Sequence, residues 1–148
     1  MFAGIVNYFI LEKMFGKANV FAGAELNMLN IFWRDDIVKL EIKTVQKEVL
    51  DRPKRWDIRK ESSDNSCYIY ITLQGISSFE SNMVATNDGL LKIISGGIKA
   101  DNNENRIELF FEQGQFFRCV YTIGRIQNTS NIPREEPMRL HPINKEQE

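Results

Sequence analysis

Between residues 36 and 45 the chain alternates apolar and charged side chains with a period of two. Val38, Leu40 and Ile42 fall on one side, and Lys39, Glu41 and Lys43 on the other. Successive side chains of a strand point to opposite faces, so this segment predicts a half-buried antiparallel strand with Glu41 turned outward. Cys67-Tyr68-Ile69-Tyr70-Ile71-Thr72-Leu73 is rich in β-branched and aromatic residues and predicts a second strand, broken by Gln74-Gly75. Ile76 to Phe79 and Met83-Val84 are apolar islands in a polar stretch. Leu90 to Ile94 predicts a strand, followed by a turn or bulge at Ser95-Gly96-Gly97. Arg106 to Glu112 predicts another, and Gln113-Gly114-Gln115 is short enough to close a hairpin onto Phe116–Ile126. That last run carries apolar residues on both faces, so it is expected to be central, with Gly124 marking a bulge or a close approach.

The N-terminal third is ambiguous. Residues 4–15 fit a short helix or irregular structure better than a strand, and Gly16-Lys17-Ala18-Asn19 breaks them. Leu26, Leu29 and Trp33 stand at helical spacing in Phe21 to Trp33, which leaves helix and strand both open until Arg34-Asp35-Asp36 ends the element. Residues 46–55 read as a charged loop containing Pro53, Trp56 to Arg59 as a short further strand, and residues 61–66 as a polar loop. From about residue 129 onward prolines and charges predict a mobile polar tail. The expectation is one β-rich domain over residues 1–128, mainly β with an α+β variant open. Its architecture would be an antiparallel β-sandwich or half-open barrel with one or two short N-terminal helices.

Composition narrows the function classes. A chain of 148 residues, 43% hydrophobic and 26% charged, has room for a real core and is not disordered. The net charge of −1 lacks the basic excess of a dedicated nucleic-acid binder. The apolar N-terminus has no basic leader and is interrupted by Asn7, Glu12 and Lys13, and no run approaches the length that spans a bilayer. A cytosolic protein with free, buried thiols is therefore expected, with no membrane contact.

Catalytic equipment is sparse. The single histidine, His141, lies in the polar tail, so neither a metal cluster nor a base for Cys67 or Cys119 is in view, and no cofactor is expected. Asp35-Asp36, or Asp101 with Glu104, lack the spacing of a tight calcium loop. Asp36, Glu41, Glu108 and Glu112 could pair only as general acid and base across a cleft. Arg52, Lys54, Arg55, Arg59 and Lys60 around Trp56 form a basic cluster diluted by Asp51, Asp57 and Glu61. The second hairpin reads as acidic: Asp101, Glu104, Glu108 and Glu112 face a single Arg106, and Asp35, Asp36 and Asp88 could extend the patch. Such a patch can dock and steer a basic protein partner.

Four runs appear in order. They are Phe32-Trp33-Arg34-Asp35-Asp36-Ile37-Val38, Tyr68-Ile69-Tyr70-Ile71-Thr72-Leu73-Gln74-Gly75-Ile76, Asn105-Arg106-Ile107-Glu108-Leu109-Phe110-Phe111 and Phe116-Phe117-Arg118-Cys119-Val120-Tyr121-Thr122-Ile123. This order, over roughly residues 29–127, resembles the bacterial immunity proteins of polymorphic toxin systems, in particular the family numbered fifty. The turn here reads Trp33-Arg34-Asp35-Asp36, without the histidine that the family pattern places beside the aspartate. The resemblance implies a small cytosolic β-rich protein that binds and blocks a toxin delivered by neighbouring bacteria. It would act stoichiometrically and not as an enzyme. Its partner would be a cognate toxin domain, such as a basic nuclease, met by Asp35, Asp36, Asp101, Glu104, Glu108 and Glu112. The alternatives are a small-ligand or lipid-binding β-barrel lined by the abundant Phe residues and, third, a hydrolase using carboxylates alone.

Overall fold

The computed structural model describes residues 2–16, 19–44, 67–83, 91–128 and 141–143, with Cys67, Asn128 and the last three described by backbone alone. The loops expected at residues 46–55 and 61–66, the strand at Trp56 to Arg59, the basic cluster around Trp56 and Asp88 lie outside the described residues.

The chain is mainly antiparallel β, and among the described residues it has one α-helix, α1 (Phe9–Phe15). The strands are β1 (Glu25–Phe32), β2 (Ile37–Thr44), β3 (Cys67–Gln74), β4 (Ser78–Ser81), β5 (Leu91–Asp101), β6 (Glu104–Phe111), β7 (Phe116–Tyr121), β8 (Ile123–Asn128) and β9 (His141–Ile143). They form one open sheet in the order β4-β7-β6-β5-β1-β2-β3-β8, with β9 paired in parallel to β1. Within residues 129–148, expected as a mobile tail, His141–Ile143 thus pair with β1, and the rest lies outside the described residues.

Turn chemistry fixes the hairpins. Asn102 and Asn103 both take positive φ (52° and 66°), as a two-residue hairpin loop requires, and asparagine tolerates that region. The tight turn sets the β5–β6 register: Asp101 faces Glu104, Lys99 faces Arg106, and Gly97 faces Glu108. Gly96-Gly97 does not reverse the chain. β5 runs through both glycines, and the irregularity lies just before them, between Ile93 and Ser95.

Two bends fold the sheet over its core. At residues 75–77 and at Thr122 the ladder passes from β3–β8 to β4–β7, with three residues (75–77) on one length opposing two (121 and 122) on the other. Thr122 N donates to Gln74 O (2.9 Å) and Ser77 N to Val120 O (3.0 Å), so pairing continues through the bend. The single strand expected over residues 116–126 is therefore two, β7 and β8, in different halves of the sheet, and Ile76–Phe79 leads into β4. Between the halves, Leu40, Ile42, Ile69, Ile71, Leu73, Ile107, Leu109 and Phe117 are fully buried. Ile5, Leu11, Met14 and Phe15 join this core from the N-terminal segment.

The ambiguous stretch before Trp33 is strand β1, and a bulge explains its helix-like spacing. The pairing with β2 slips between Leu26 and Met28, so Leu26 lies opposite Ile42 and Leu29 opposite Leu40. The extra residue, Asn27, lets two leucines three apart share one face of a strand. Glu41 is not outward in solvent, as alternation predicted. It is fully buried, accepts a hydrogen bond from Asn27 Nδ2 (3.2 Å), and shares the face opposite the main core with Met28 and Asn27, which are also buried. Alternation identifies a strand's two faces; here both are covered.

The N-terminal segment also closes the β8 end of the sheet. Gly124 N donates to Gly4 O (2.9 Å) and Val6 N to Gly124 O (3.0 Å). One residue on, the Asn7 side-chain amide takes the place of a strand: Nδ2 donates to Ile126 O (2.6 Å), and Oδ1 accepts from Ile126 N (2.9 Å). Gly124 permits this approach, because a Cβ there would lie 2.5 Å from Ile5 Cδ1 and 2.9 Å from Leu73 Cδ2.

Candidate partner-binding surface

The six acidic residues proposed from sequence do not gather on one patch. Asp35 and Asp36 sit exposed in the turn joining β1 to β2. Asp101 and Glu104 flank the β5–β6 turn, whereas Glu112 lies beyond the far end of β6. Eight residues of extended chain separate Glu104 from Glu112, roughly 25 Å at strand spacing.

The second hairpin is also not an acidic surface. Glu108 is held by cations from three strands: Lys99 Nζ at 3.1 Å, Arg118 Nε at 3.2 Å and Arg106 Nε at 3.7 Å. Arg118 reaches on to Glu80 (2.6 Å) and Arg106 to Asp101 (2.8 Å). Three carboxylates and three cations thus cancel on the outer face of β5, β6, β7 and β4. The arrangement follows from register, since Glu108 faces Arg118 and Arg118 faces Glu80 across adjacent strands. Partial burial pushes the Glu108 carboxyl up. The Lys99 hydrogen bond and the charges of Lys99, Arg106 and Arg118 outweigh that effect and bring its pKa below the ordinary 4.5. A depressed carboxylate stabilises the fold above its unfolded pKa, and the contribution is lost as pH falls through the folded value. Glu108→Gln is therefore expected to lower the denaturant midpoint more at about pH 7 than at about pH 3, because the deficit shrinks as pH falls through the folded pKa of Glu108. An equal deficit at the two pH values would show that the charge contributes nothing.

A different feature stands beside Asp35 and Asp36. Trp33, in the single 3₁₀ turn Trp33–Asp35, is 52% exposed although it packs edge-on against Phe79 at a 5.3 Å ring separation. Phe79 in turn lies 5.3 Å from the ring of Phe117, which is fully buried. A line of three aromatic rings thus runs from core to surface. Asp36 closes the turn in the left-handed region (φ 55°, ψ 44°), and its carbonyl accepts from Ile76 N (3.2 Å), tying the turn to the β3–β4 bend. Trp33, Phe79, Ile31, Val38 and Ile76 line a surface cleft of about 210 Å³ with Asp36 on its rim. Among the described residues neither Asp35 nor Asp36 takes part in an ion pair. The sequence named both aspartates but not the aromatic line, because β4, which carries Phe79, read only as an apolar island.

Other clefts open on the surface of the described residues. One, of about 280 Å³, lies between α1 and Gly96-Gly97; another, of about 250 Å³, lies beside Val6, Thr72 and Ile123. Glu41 and Glu108 meet an amide and three cations respectively. Among the described residues no group of three or more His, Cys, Asp and Glu side chains could hold a metal ion, and no helix is long and apolar enough to cross a membrane. Cys119 is a free, fully buried thiol whose pKa is pushed up to about 12 by burial, so it is protonated at neutral pH. Compared with models of known families, with curated proteins and with solved structures, the chain finds no match, and its functional reading rests on its own residues.

Proposed function

We propose that this protein is a cytosolic immunity protein that neutralises a bacterial toxin domain by stoichiometric, non-catalytic binding. The observation that carries the reading is the half-exposed Trp33, braced through Phe79 on the core and flanked by two unpaired aspartates. Binding energy concentrates on aromatic anchors with rigid support, and charge around them steers the partner and sets its orientation. Asp35 and Asp36 keep the role of contact residues. Asp101 and Glu108 hold the neutral ionic plate together, and Glu104 and Glu112 lie at opposite ends of β6.

The test is co-expression with the product of the gene immediately upstream, which this reading expects to end in a toxin domain, in cells that the product arrests. The intact chain is expected to restore growth and to form a one-to-one complex with an inactivated toxin. Trp33→Ala is expected to cost roughly 2 kcal/mol of binding, about thirtyfold in Kd, while thermal unfolding changes little. Growth arrest that persists with the folded, intact chain in excess would refute the proposal. So would protection by catalytic amounts.

A further inference from the structure

The two ends of the sheet are treated differently. At β8 the outer backbone groups are taken by Gly4, Val6 and the Asn7 amide. At the other end, among the described residues, β4 pairs with β7 alone. Asn82 N donates to Phe116 O, so strand alternation turns the N–H and C=O groups of Phe79 and Ser81 away from β7. Beside this outer edge lies the Trp33–Phe79 cleft, lined across the gap by Ile31 and Val38 of β1 and β2. Its rim carries Asp36, with Asp35 exposed next to it in the same turn, and among the described residues neither carboxylate is in an ion pair.

We propose that the outer edge of β4 accepts an extended segment of a partner protein as an added strand, with one large apolar side chain in the cleft and basic residues beside it facing Asp35 and Asp36. Three properties of the site select that occupant. Free backbone donors and acceptors call for another extended backbone. A cleft of about 210 Å³ with aromatic and aliphatic walls suits a single large apolar side chain. Two unpaired carboxylates call for cations and disfavour an acidic segment. Strand addition also supplies affinity without a preformed deep pocket, because main-chain hydrogen bonds hold the segment and alternate side chains read it. The proposal deepens the reading of this protein as a partner-binding domain, on which it rests.

The test needs no toxin. An acetylated, amidated peptide alternating lysine with valine around one central phenylalanine is titrated into the isotope-labelled full chain, beside a counterpart with glutamate for lysine. The lysine peptide is expected to shift the backbone amides of Phe79 and Ser81 and the indole N–H of Trp33, saturably, at concentrations up to about 1 mM. The double variant Asp35→Asn, Asp36→Asn keeps the turn, since asparagine tolerates a left-handed backbone, and is expected to weaken binding about fourfold. Absence of shifts at these three groups, shifts mapping elsewhere, or equal binding of the glutamate peptide would each overturn the proposal. Concentration-dependent shifts of the same amides without peptide would overturn it in favour of a second copy of this chain. If growth rescue fails while the peptide binds, the toxin reading falls and the edge site stands; if rescue succeeds while the peptide does not bind, the reverse holds.

Discussion

Replacing Phe117 with alanine is expected to destabilise the protein by about 3–5 kcal/mol, the usual cost of emptying a fully buried aromatic position. Phe117 is 0% exposed, on the inward face of a strand paired on both sides, β6 to one and β4 to the other. Its loss removes more than core volume. The Phe79 ring rests on it, and the Trp33 ring rests on Phe79. The variant should therefore show a sharply lower denaturant midpoint and, under conditions where it remains folded, a more mobile Trp33 indole. Trp33→Ala, by contrast, removes a half-exposed ring and leaves the stack beneath it. A Phe117→Ala protein of near-parental stability, or one whose Trp33 is as ordered as before, would contradict the view that the surface tryptophan is braced from the core.

Gly96→Ala is the second large effect. Gly96 has φ +121°, and a Cβ there would stand 2.1 Å from the carbonyl oxygen of Glu108 and 3.0 Å from Leu109 Cα. Both are backbone atoms of β6, so no side-chain rotation can relieve the contact. The strain of the backbone region adds to the displacement of a paired strand, and a loss of about 3 kcal/mol or more is expected. The neighbouring position supplies the control. A Cβ on Gly97 meets only Phe21 and Asn19 side-chain atoms, at 3.8 and 3.9 Å, so Gly97→Ala is expected to cost about 1–2 kcal/mol, from backbone strain alone. Denaturant unfolding of the pair measures the difference. Equal losses would mean that the close approach of β5 to its neighbour β6 is not what demands glycine at 96.

Much of the fold was legible because alternation and turn chemistry are local. Residues 38–42, 67–73 and 106–111 announced β2, β3 and β6. What escaped depended on pairing. The β1 bulge gave Leu26 and Leu29 the spacing of a helix, and only the partner strand shows that both face Ile42 and Leu40. The division between β7 and β8 falls at Thr122, a residue with ordinary β preference, because the bend is set by the opposing residues 75–77. Glu41 read as solvated because its neighbours on that face, Lys39 and Lys43, are charged. Its burial among Asn27 and Met28 is a property of the sheet's second face.

The candidate site divides along the same line. Asp35 and Asp36 could be named from the chain because a turn exposes its residues. The ionic plate could not be read by counting charges, since Glu108 and Arg106 look like members of an acidic hairpin until Lys99, Arg118 and Glu80 arrive from other strands. One signal was available: the two-residue turn at Asn102-Asn103 fixes the β5–β6 register and sets Lys99 opposite Arg106, diagonal to Glu108. Trp33's support was harder to foresee, because it joins a turn near residue 33 to Phe79 and Phe117 through tertiary contact alone.

The Asn7 amide that stands in for a strand beside Ile126 bears on how this molecule can associate. Unlimited growth into a fibre requires that each added subunit offer a fresh edge to the next. With the β8 border plugged by a side chain, a copy docked at β4 finds no open border at β8 to continue the row. The asparagine works as a chain terminator on that side, while β4 on the other side can still recruit a partner.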